Sequence, residues 1–286
     1  MSICQARRIA RVDLTVQDLE AAEAFYAEAL GFRRQDDGPT PRPEAGVRRR
    51  RMQLGEQEFE LVAFDPPGRP YPPASTANVP WFQHFAIAVG DMARAYGRLV
   101  AHAQQPISRG GPQLLPPSTG SVTAYKFRDP DGHPLELSFL PQSPWTVQPD
   151  GGSEPFLGLD HTAIAVSDLE RSVAFYTSLL GLQVAGQGLN QGPEQDRLDG
   201  LDGVVLDIVS LTTPEPGPHI ELLHYRAPPP PPTAGRFGER DIAGTRTVLQ
   251  VDRLEDTLTL PGAATLPADR MVQLRDPDGH LLHLVN

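Results

Sequence analysis

Two glutamates stand inside apolar, strand-like runs of the sequence, Glu136 in PLELSF and Glu221 in HIELLHY. A carboxylate buried in such a run is costly unless a partner compensates for its lost hydration. A metal ion would be such a partner, and a buried arginine is the structural alternative. These two carboxylates are therefore the first candidates for metal binding and for general acid–base chemistry.

Other reactive residue types are scarce. Cys4 is the single cysteine, which excludes a disulfide framework and a four-thiolate zinc site and favours a reducing compartment. Lys126 is the only lysine, so a lysine base or Schiff base has one candidate. The run Arg48–Arg51 alternates between the two faces of a strand, so one arginine pair could enter a cavity and bind an anion. A solvated strand face is the alternative.

Length and charge exclude several classes of protein. The chain has 286 residues and a formal net charge of −11, which disfavours binding to nucleic acid. No apolar run approaches the roughly 20 residues of a membrane span, and the N-terminus does not resemble a secretory signal. We therefore expect a cytoplasmic monomer or homodimer that binds a small molecule and neither nucleic acid nor a membrane.

The sequence contains an internal repeat. The segment VDLTVQDLEAAEAFYAEALGFRR from Val12 matches TAIAVSDLERSVAFYTSLLGLQV from Thr162. Both read as an apolar strand, the letters DLE, an amphipathic helix with Phe-Tyr, and Leu-Gly. Weaker copies begin at Phe85 and Thr247. The repeat indicates four related structural units.

Local signals support this division. Two aspartates are placed to cap the helices of the clearer copies, and two glycines stand where those helices must end, namely Asp18, Asp168, Gly31 and Gly181. The second and fourth copies share the turn R-D-P-D-G-H at Arg128–His133 and Arg275–His280. Its Asp-Gly step predicts a β-hairpin. We expect His133 and His280 to be turn or surface residues.

Each copy is followed by further strand-like runs, so the chain is predicted to be an α+β protein of four βαβββ modules. The modules are expected at residues 8–65, 81–140, 158–226 and 243–286. The first two form an N-terminal domain, 1–143, and the last two a C-terminal domain, 157–286, joined by a linker at 144–156. One module exposes an apolar sheet face, so the modules must pair.

This pattern resembles the vicinal oxygen chelate superfamily, which includes glyoxalase I, extradiol dioxygenases and bleomycin-resistance proteins. The resemblance rests on the strand–DLE–helix–FY–LG segments and the D-P-D-G-H hairpins, and covers about nine tenths of the chain. It implies that paired modules form two open, U-shaped eight-stranded barrels. It also implies a divalent metal ion, bound by the first and last strand of each module.

The resemblance assigns one residue of this chain to each of those positions. The first-strand positions of modules one to four are Arg11, His84, His161 and Arg246. The last-strand positions are Glu60, Glu136, Glu221 and His283. Modules two and three thus each hold one histidine and one glutamate.

Two pairings of the modules remain open. If module two pairs with module three, one cavity holds the complete set His84, Glu136, His161 and Glu221. The other cavity then holds Arg11, Glu60, Arg246 and His283 as a vestigial site, whose guanidinium groups would repel a cation. If modules one and two pair instead, each cavity keeps three possible ligands. We favour the first pairing because it collects the compatible ligands in one place.

The favoured set implies a metal-dependent lyase or isomerase of the glyoxalase type. Mixed imidazole and carboxylate ligands suit Ni, Co, Zn, Mn or Fe(II). The ion would bind two adjacent substrate oxygens and stabilise an enediolate-like intermediate. Glu136 and Glu221 are both candidates for the catalytic base. We also expect four substrate-binding residues, Arg109 and Asn190 on loops and Tyr125 and Tyr225 on strands.

Two other functions compete with this one. An Fe(II) extradiol-type dioxygenase would need two histidines and a carboxylate, and His161, Glu221 and His283 are a rearranged version of that set. A protein that sequesters a cationic antibiotic or toxin would suit the net charge of −11. Such a protein would have no need for paired histidine and glutamate positions.

Overall fold

A computed structural model describes residues 4–35, 45–141, 154–231, 235–260, 262–266 and 271–286. Module one contains β1 (Ala6–Thr15), α1 (Leu19–Leu30), β2 (Arg33–Arg34), β3 (Val47–Leu54) and β4 (Gln57–Phe64). Module two contains β5 (Gln83–Val89), α2 (Met92–Leu99), β6 (Gln105–Pro106), β7 (Gln113–Leu114), β8 (Thr123–Arg128) and β9 (Pro134–Phe139).

Module three contains β10 (Phe156–Ala165), α3 (Leu169–Ala174), β11 (Gln183–Gln191), α4 (Pro193–Asp199), β12 (Val205–Thr212) and β13 (His219–Ala227). Helix α3 continues into a π-helical turn at Phe175–Leu179. Module four contains β14 (Arg246–Val251), α5 (Leu254–Thr257), β15 (Ala264–Leu266), β16 (Met271–Arg275) and β17 (Leu281–Val285). The prediction of four repeated modules in an α+β fold is confirmed, whereas α4 was not foreseen.

The described strands form two open sheets. The first sheet has eight strands in the order β15-β16-β17-β14-β1-β4-β3-β2 and so combines modules one and four. The second runs β11-β12-β13-β10-β5-β9-β8-β6, with β7 also paired to β8, and combines modules two and three. The favoured pairing is therefore confirmed. The second sheet has nine strands rather than the expected eight, because β6 and β7 both bind the edge of β8.

The two largest hydrophobic cores follow the two halves of the chain, although each sheet joins the halves. One core is built mostly by modules one and two and contains Phe59, Phe85 and Tyr125. The other is built mostly by modules three and four and contains Tyr176 and Leu249. Two smaller cores combine residues of both halves. The expected linker at 144–156 lies mostly outside the described residues. The domain limits 1–143 and 157–286 stay a prediction.

The predicted helix caps are present in both clear copies of the repeat. Asp18 accepts a hydrogen bond from the backbone N–H of Ala21, and Asp168 accepts one from Arg171. Gly31 and Gly181 have φ angles of 74° and 72°, a left-handed conformation that favours glycine. The repeated Asp and Gly therefore mark the first strand–helix–strand segment of modules one and three.

The repeated tyrosine and the hairpin motif bind each other. The Tyr26 hydroxyl donates to Asp129 Oδ2 over 2.8 Å, and Asp129 also accepts from the backbone N–H of His133. In the other half, Tyr176 donates to Asp276 over 3.3 Å. His133 and His280 close these turns, as expected, but the expectation that they lie at the surface is wrong. His133 and His280 are buried, because their backbone N–H groups bind these buried aspartates.

Replacing Tyr26 with phenylalanine should lower the free energy of unfolding by about 1–3 kcal/mol, because Asp129 loses a buried donor. Tyr176→Phe should cost less, since its hydrogen bond to Asp276 is longer. Urea unfolding of both variants measures the difference. Equal losses, or none, would contradict this account of the two motifs.

Candidate metal centre

Four adjacent strands at the centre of the second sheet each supply one candidate ligand. In sheet order, β13 carries Glu221, β10 carries His161, β5 carries His84 and β9 carries Glu136. All four side chains line one cavity of about 390 Å³. The structure therefore brings together the four residues that the sequence assigned to a metal site.

The two histidines approach each other across the β5–β10 pair. Their ring centroids lie 5.7 Å apart. His84 Nε2 is 3.2 Å from Glu136 Oε2, and His161 Nε2 is 3.6 Å from Glu221 Oε2. His84, Glu136 and His161 offer ligand atoms that all lie within 4.8 Å of one another, which is close enough to share one ion.

Alanines beside the histidines leave room for this arrangement. Both strands read His-x-Ala-Ile-Ala-Val, HFAIAV in β5 and HTAIAV in β10. Ala163 lies opposite His84 and Ala86 lies opposite His161 in the antiparallel register. Side chains opposite one another share a face of the sheet. Each imidazole therefore faces a small methyl group and can lean into the cavity.

The surroundings of His84 suit a metal ligand better than a histidine that is held by hydrogen bonds. Both of its ring nitrogens are buried, and within the described residues neither makes a well-aligned hydrogen bond, although Nε2 lies 3.2 Å from Glu136 Oε2. Such unsatisfied groups are rare in protein interiors. Burial lowers the pKa of His84, so its imidazole is neutral, as a metal ligand must be. The residues present thus fit a divalent cation.

His161 is oriented by a neighbouring carboxylate. Its Nδ1 lies 2.8 Å from Asp160 Oδ2, which directs Nε2 towards Glu221 and the cavity. A carboxylate in this position is typical of metal-binding histidines. Burial alone would lower the pKa of His161, but the charges of Glu221 and Asp160 outweigh it and raise the pKa to about 9.

The two glutamates are both anionic but are held differently. Burial would raise the pKa of Glu136, but His84 and Lys126 outweigh it and hold that pKa below its usual range. Ser138 donates to Glu136 over 2.6 Å. The pKa of Glu221 is lowered to about 2 by His161 and His219, which outweigh its burial. Its contact with Ser210 is longer, 3.3 Å.

Sequence reasoning did not assign three residues to this site. His219 stands two residues before Glu221 on β13, so both share a face of the strand, and His219 Nε2 lies 3.4 Å from Glu221 Oε1. Lys126 pairs with Glu136 across the β8–β9 hairpin. Both placements follow from strand spacing once the hairpin register is known. Asp199, which binds Lys126, lies at the end of the unforeseen helix α4.

The predicted substrate-binding residues have different locations. Asn190 lines the cavity. Tyr225 lies behind the wall and donates to Asp199 over 3.1 Å. Arg109 is outside the lining and binds Asp202 and the backbone of Gly200.

Tyr125 is also outside the lining. It packs in the core of the first two modules against Tyr96 and Phe127. Its hydroxyl donates to Gln104 over 3.4 Å, so both its ring and its polar atom are engaged away from the cavity. Neither Tyr125 nor Arg109 therefore lines the cavity.

The first sheet places Arg11, Glu60, Arg246 and His283 on its own four central strands. Arg11 binds Asp13 over 2.7 Å. Arg246 donates to Thr15 Oγ1 and to the carbonyls of Glu239 and Gly244. In the described residues, each group of three possible ligands close enough to share an ion contains His161. The trio His161, Glu221 and His283 is not assembled, because His283 lies in the other sheet.

The four-arginine strand β3 sends alternate side chains to the two faces, as predicted. Arg48 and Arg50 bind Glu20 and Glu23 on helix α1. Arg49 and Arg51 lie on the other face, where both reach Glu60, Arg49 over 2.8 Å. Glu60 is thus partnered by arginines, the alternative that we considered for a buried carboxylate.

His283 should make the protein sensitive to acid. Burial and the nearby charges of Arg246, Arg11 and Arg49 lower its pKa to about 3. The unfolded chain binds a proton near pH 6.5, so stability falls as the pH drops from there towards 3. Between pH 7 and pH 5 this histidine should cost about 2 kcal/mol of unfolding free energy.

Urea unfolding at both pH values measures this loss in the wild type and in His283→Asn. The variant should lose less stability than the wild type over the same interval, since asparagine cannot bind the proton. Parallel pH profiles of the two proteins would rule out His283 as the source.

Comparisons with known proteins agree with this architecture. Glyoxalase I from Zea mays superposes with a TM-score of 0.64 at 18% identity, covering 98% of this chain and 92% of that one. A candidate dioxygenase from Bacillus subtilis superposes with a TM-score of 0.58 at 16% identity, covering 98% and 85%. At such identities the likeness shows the fold alone.

No curated protein sequence matches the chain. Among the described helices, none is both long and apolar enough to cross a membrane. The family model described as Glyoxalase/Bleomycin resistance protein/Dioxygenase superfamily matches residues 8–137 and 158–284, which are the two halves of the repeat. The chain belongs to the glyoxalase/bleomycin resistance protein/dioxygenase superfamily.

Proposed function

We propose that the protein is a metal-dependent lyase or isomerase of the glyoxalase type. It would act on a small substrate with vicinal oxygens, through an enediolate-like intermediate. The observation that carries this proposal is the set of two histidines and two glutamates in one cavity, with both ring nitrogens of His84 buried and, within the described residues, without a well-aligned hydrogen bond. Members of the superfamily bind small molecules, and this cavity is of a size to hold one.

His84, Glu136, His161 and Glu221 would hold the ion. Imidazole and carboxylate ligands suit Ni, Co, Zn, Mn or Fe(II), and the described site offers no thiolate that would narrow this range. When bound, such an ion supplies a Lewis acid that polarises adjacent oxygens of the substrate. Asp160 keeps His161 oriented for this role through its 2.8 Å contact with Nδ1.

We assign the proton transfer to Glu221 and a fixed ligand role to Glu136. The Glu136 side chain is 9% exposed and receives a 2.6 Å hydrogen bond from Ser138. The Glu221 side chain is 20% exposed, and its contacts with Ser210 and His219 are 3.3 and 3.4 Å long. A general base must reach the proton that it removes, so the less constrained carboxylate is better suited.

The apolar part of the cavity would shield this proton transfer from water. Its lining includes aliphatic side chains of both modules, Leu115, Val122, Leu140, Leu198, Leu206, Ile208 and Leu223. Apolar walls strengthen the interactions of the charged groups that they surround. They also favour a substrate with an apolar body beside its two oxygens.

The metal content of the purified protein tests the proposal. We expect about one ion per chain by inductively coupled plasma mass spectrometry, and its loss in the double variant His84→Ala/His161→Ala. His224→Ala is the matched control, because His224 lies on β13 but points to the opposite face from Glu221 and binds Asp207. A wild-type protein that takes up no metal under any loading condition would exclude both enzyme functions and favour a binding protein.

The two glutamates should behave differently when changed to glutamine. Glu136→Gln should lose most of the metal, whereas Glu221→Gln should retain more of it. NMR in D2O measures exchange of the carbon-bound proton of hydroxyacetone, lactaldehyde or a similar vicinal-oxygen compound. This exchange should fall by about 10²–10⁴ in Glu221→Gln. Full exchange activity in that variant would exclude Glu221 as the base.

One observation favours a second candidate function. His84, Glu136 and His161 form a two-histidine, one-carboxylate group, which is the ligand set of many non-haem Fe(II) oxygenases. Oxygen consumption by the Fe(II)-loaded protein with catechols would favour a dioxygenase. Proton exchange without oxygen consumption would favour the lyase or isomerase.

A further inference from the structure

The sole lysine of the chain lies in the wall of the metal cavity. Lys126 is on β8, directly across from Glu136 on β9, and its side chain is 4% exposed. Its Nζ is 2.6 Å from Asp199 Oδ1 and 3.7 Å from Glu136 Oε2. The first distance is a charge-assisted hydrogen bond, whereas the second is too long for one.

This ammonium group has donors to spare. A lysine has three N–H donors, and one of them is taken by Asp199. Among the described residues, the other two have no acceptor within hydrogen-bonding distance, although the group is buried and lines the cavity. A buried charge with unmatched donors is costly unless a ligand completes it. An oxygen of a ligand bound in the cavity could accept hydrogen bonds from these two donors.

Asp199 holds the lysine in place. It is fully buried and also accepts hydrogen bonds from Gln195 and from Tyr225. Gln195 in turn accepts from Asn190, so the network runs along the wall of the cavity. The 2.6 Å contact with Asp199 fixes the position of the Lys126 ammonium, which is thus preorganised as a donor at the cavity wall.

Lys126 is the only lysine or arginine in the described lining of the cavity, and it lies on the module two side. His161 on the module three side binds an ion only as the neutral imidazole. The residue across from Glu221 in module three is Ser210, the counterpart of Lys126 across from Glu136. A substrate whose two oxygens differ in charge would therefore bind in one orientation. Its more negative oxygen would face module two, where the electrostatic interaction is favourable.

Resting on the function proposed above, we propose that Lys126 binds the substrate by donating from Nζ to its negatively charged oxygen. The substrate class is then a vicinal-oxygen compound that carries or develops an oxyanion at one end, such as a 2-hydroxy or 2-oxo acid. Lys126 is in that case a catalytic residue that contacts the substrate. The metal ligands alone would not distinguish the two ends.

Oxalate, a small dianion with vicinal oxygens, is the probe. Its binding to the metal-loaded protein is measured by isothermal titration calorimetry, with metal content determined for every sample. The double variant Lys126→Met/Asp199→Asn removes both buried charges, so it leaves no unpaired carboxylate. It should keep its metal but bind oxalate about 10–100-fold more weakly, as the loss of a charged hydrogen bond implies. His224→Ala, on the face of β13 opposite the cavity, should bind oxalate like the wild type.

Asp199→Asn alone separates binding from a structural role. It keeps the ammonium and removes the neighbouring negative charge, while the amide Oδ1 can still accept from Nζ, so oxalate should bind as tightly as to the wild type or more tightly. An equal loss in this variant and the double variant would show that the pair only supports the fold, and would overturn the proposal. Unchanged oxalate affinity in the metal-loaded double variant would overturn it as well. A wild type that takes up no metal would instead overturn the proposed function, and this role of Lys126 with it.

Discussion

Strands β5 and β10 pair antiparallel in a register that sets His84 opposite Ala163 and His161 opposite Ala86. The rest of the site depends on this pairing. The parallel neighbours β9 and β13 bring Glu136 level with Ala86 and Glu221 level with Ala163. A slip of one residue would turn the whole ligand set of one module to the helix-covered face. The hydrophobic cores on that face therefore specify the geometry of the polar face.

The two sheets show how few residues separate a cation site from a closed polar network. Each sheet places its key side chains on its own four central strands, at corresponding positions. In the first sheet, arginines stand where the second has histidines, and Asp13 and Thr15 replace the neighbouring alanines. The guanidinium groups find acceptors in the protein itself and lower the pKa of His283. In the second sheet the alanines leave a space in which His84 makes no well-aligned hydrogen bond within the described residues.

Much of the fold was accessible from the sequence because the repeat carries local physical signals. Asp18 and Gly31 cap a helix in any context, and the Asp-Gly turns predict hairpins whatever surrounds them. The ligand set followed from the resemblance, and the confirmed module pairing places it in one cavity. The roles of Arg109 and Tyr125 could not be judged, since loop direction and core packing depend on the assembled structure. Asp199 was missed because α4 is an insertion that the other modules lack.

Each sheet joins one module from each half of the chain, and this has a genetic consequence. A two-module chain that completed its sheets with a second copy of itself would carry every substitution twice, once in each site. A substitution that improved one site would then also change the other site. Joined in a single chain, the two sites are free to diverge. Arg11 and Arg246 in one sheet, where the other sheet has His161 and His84, are a difference between sites that two identical two-module chains could not carry.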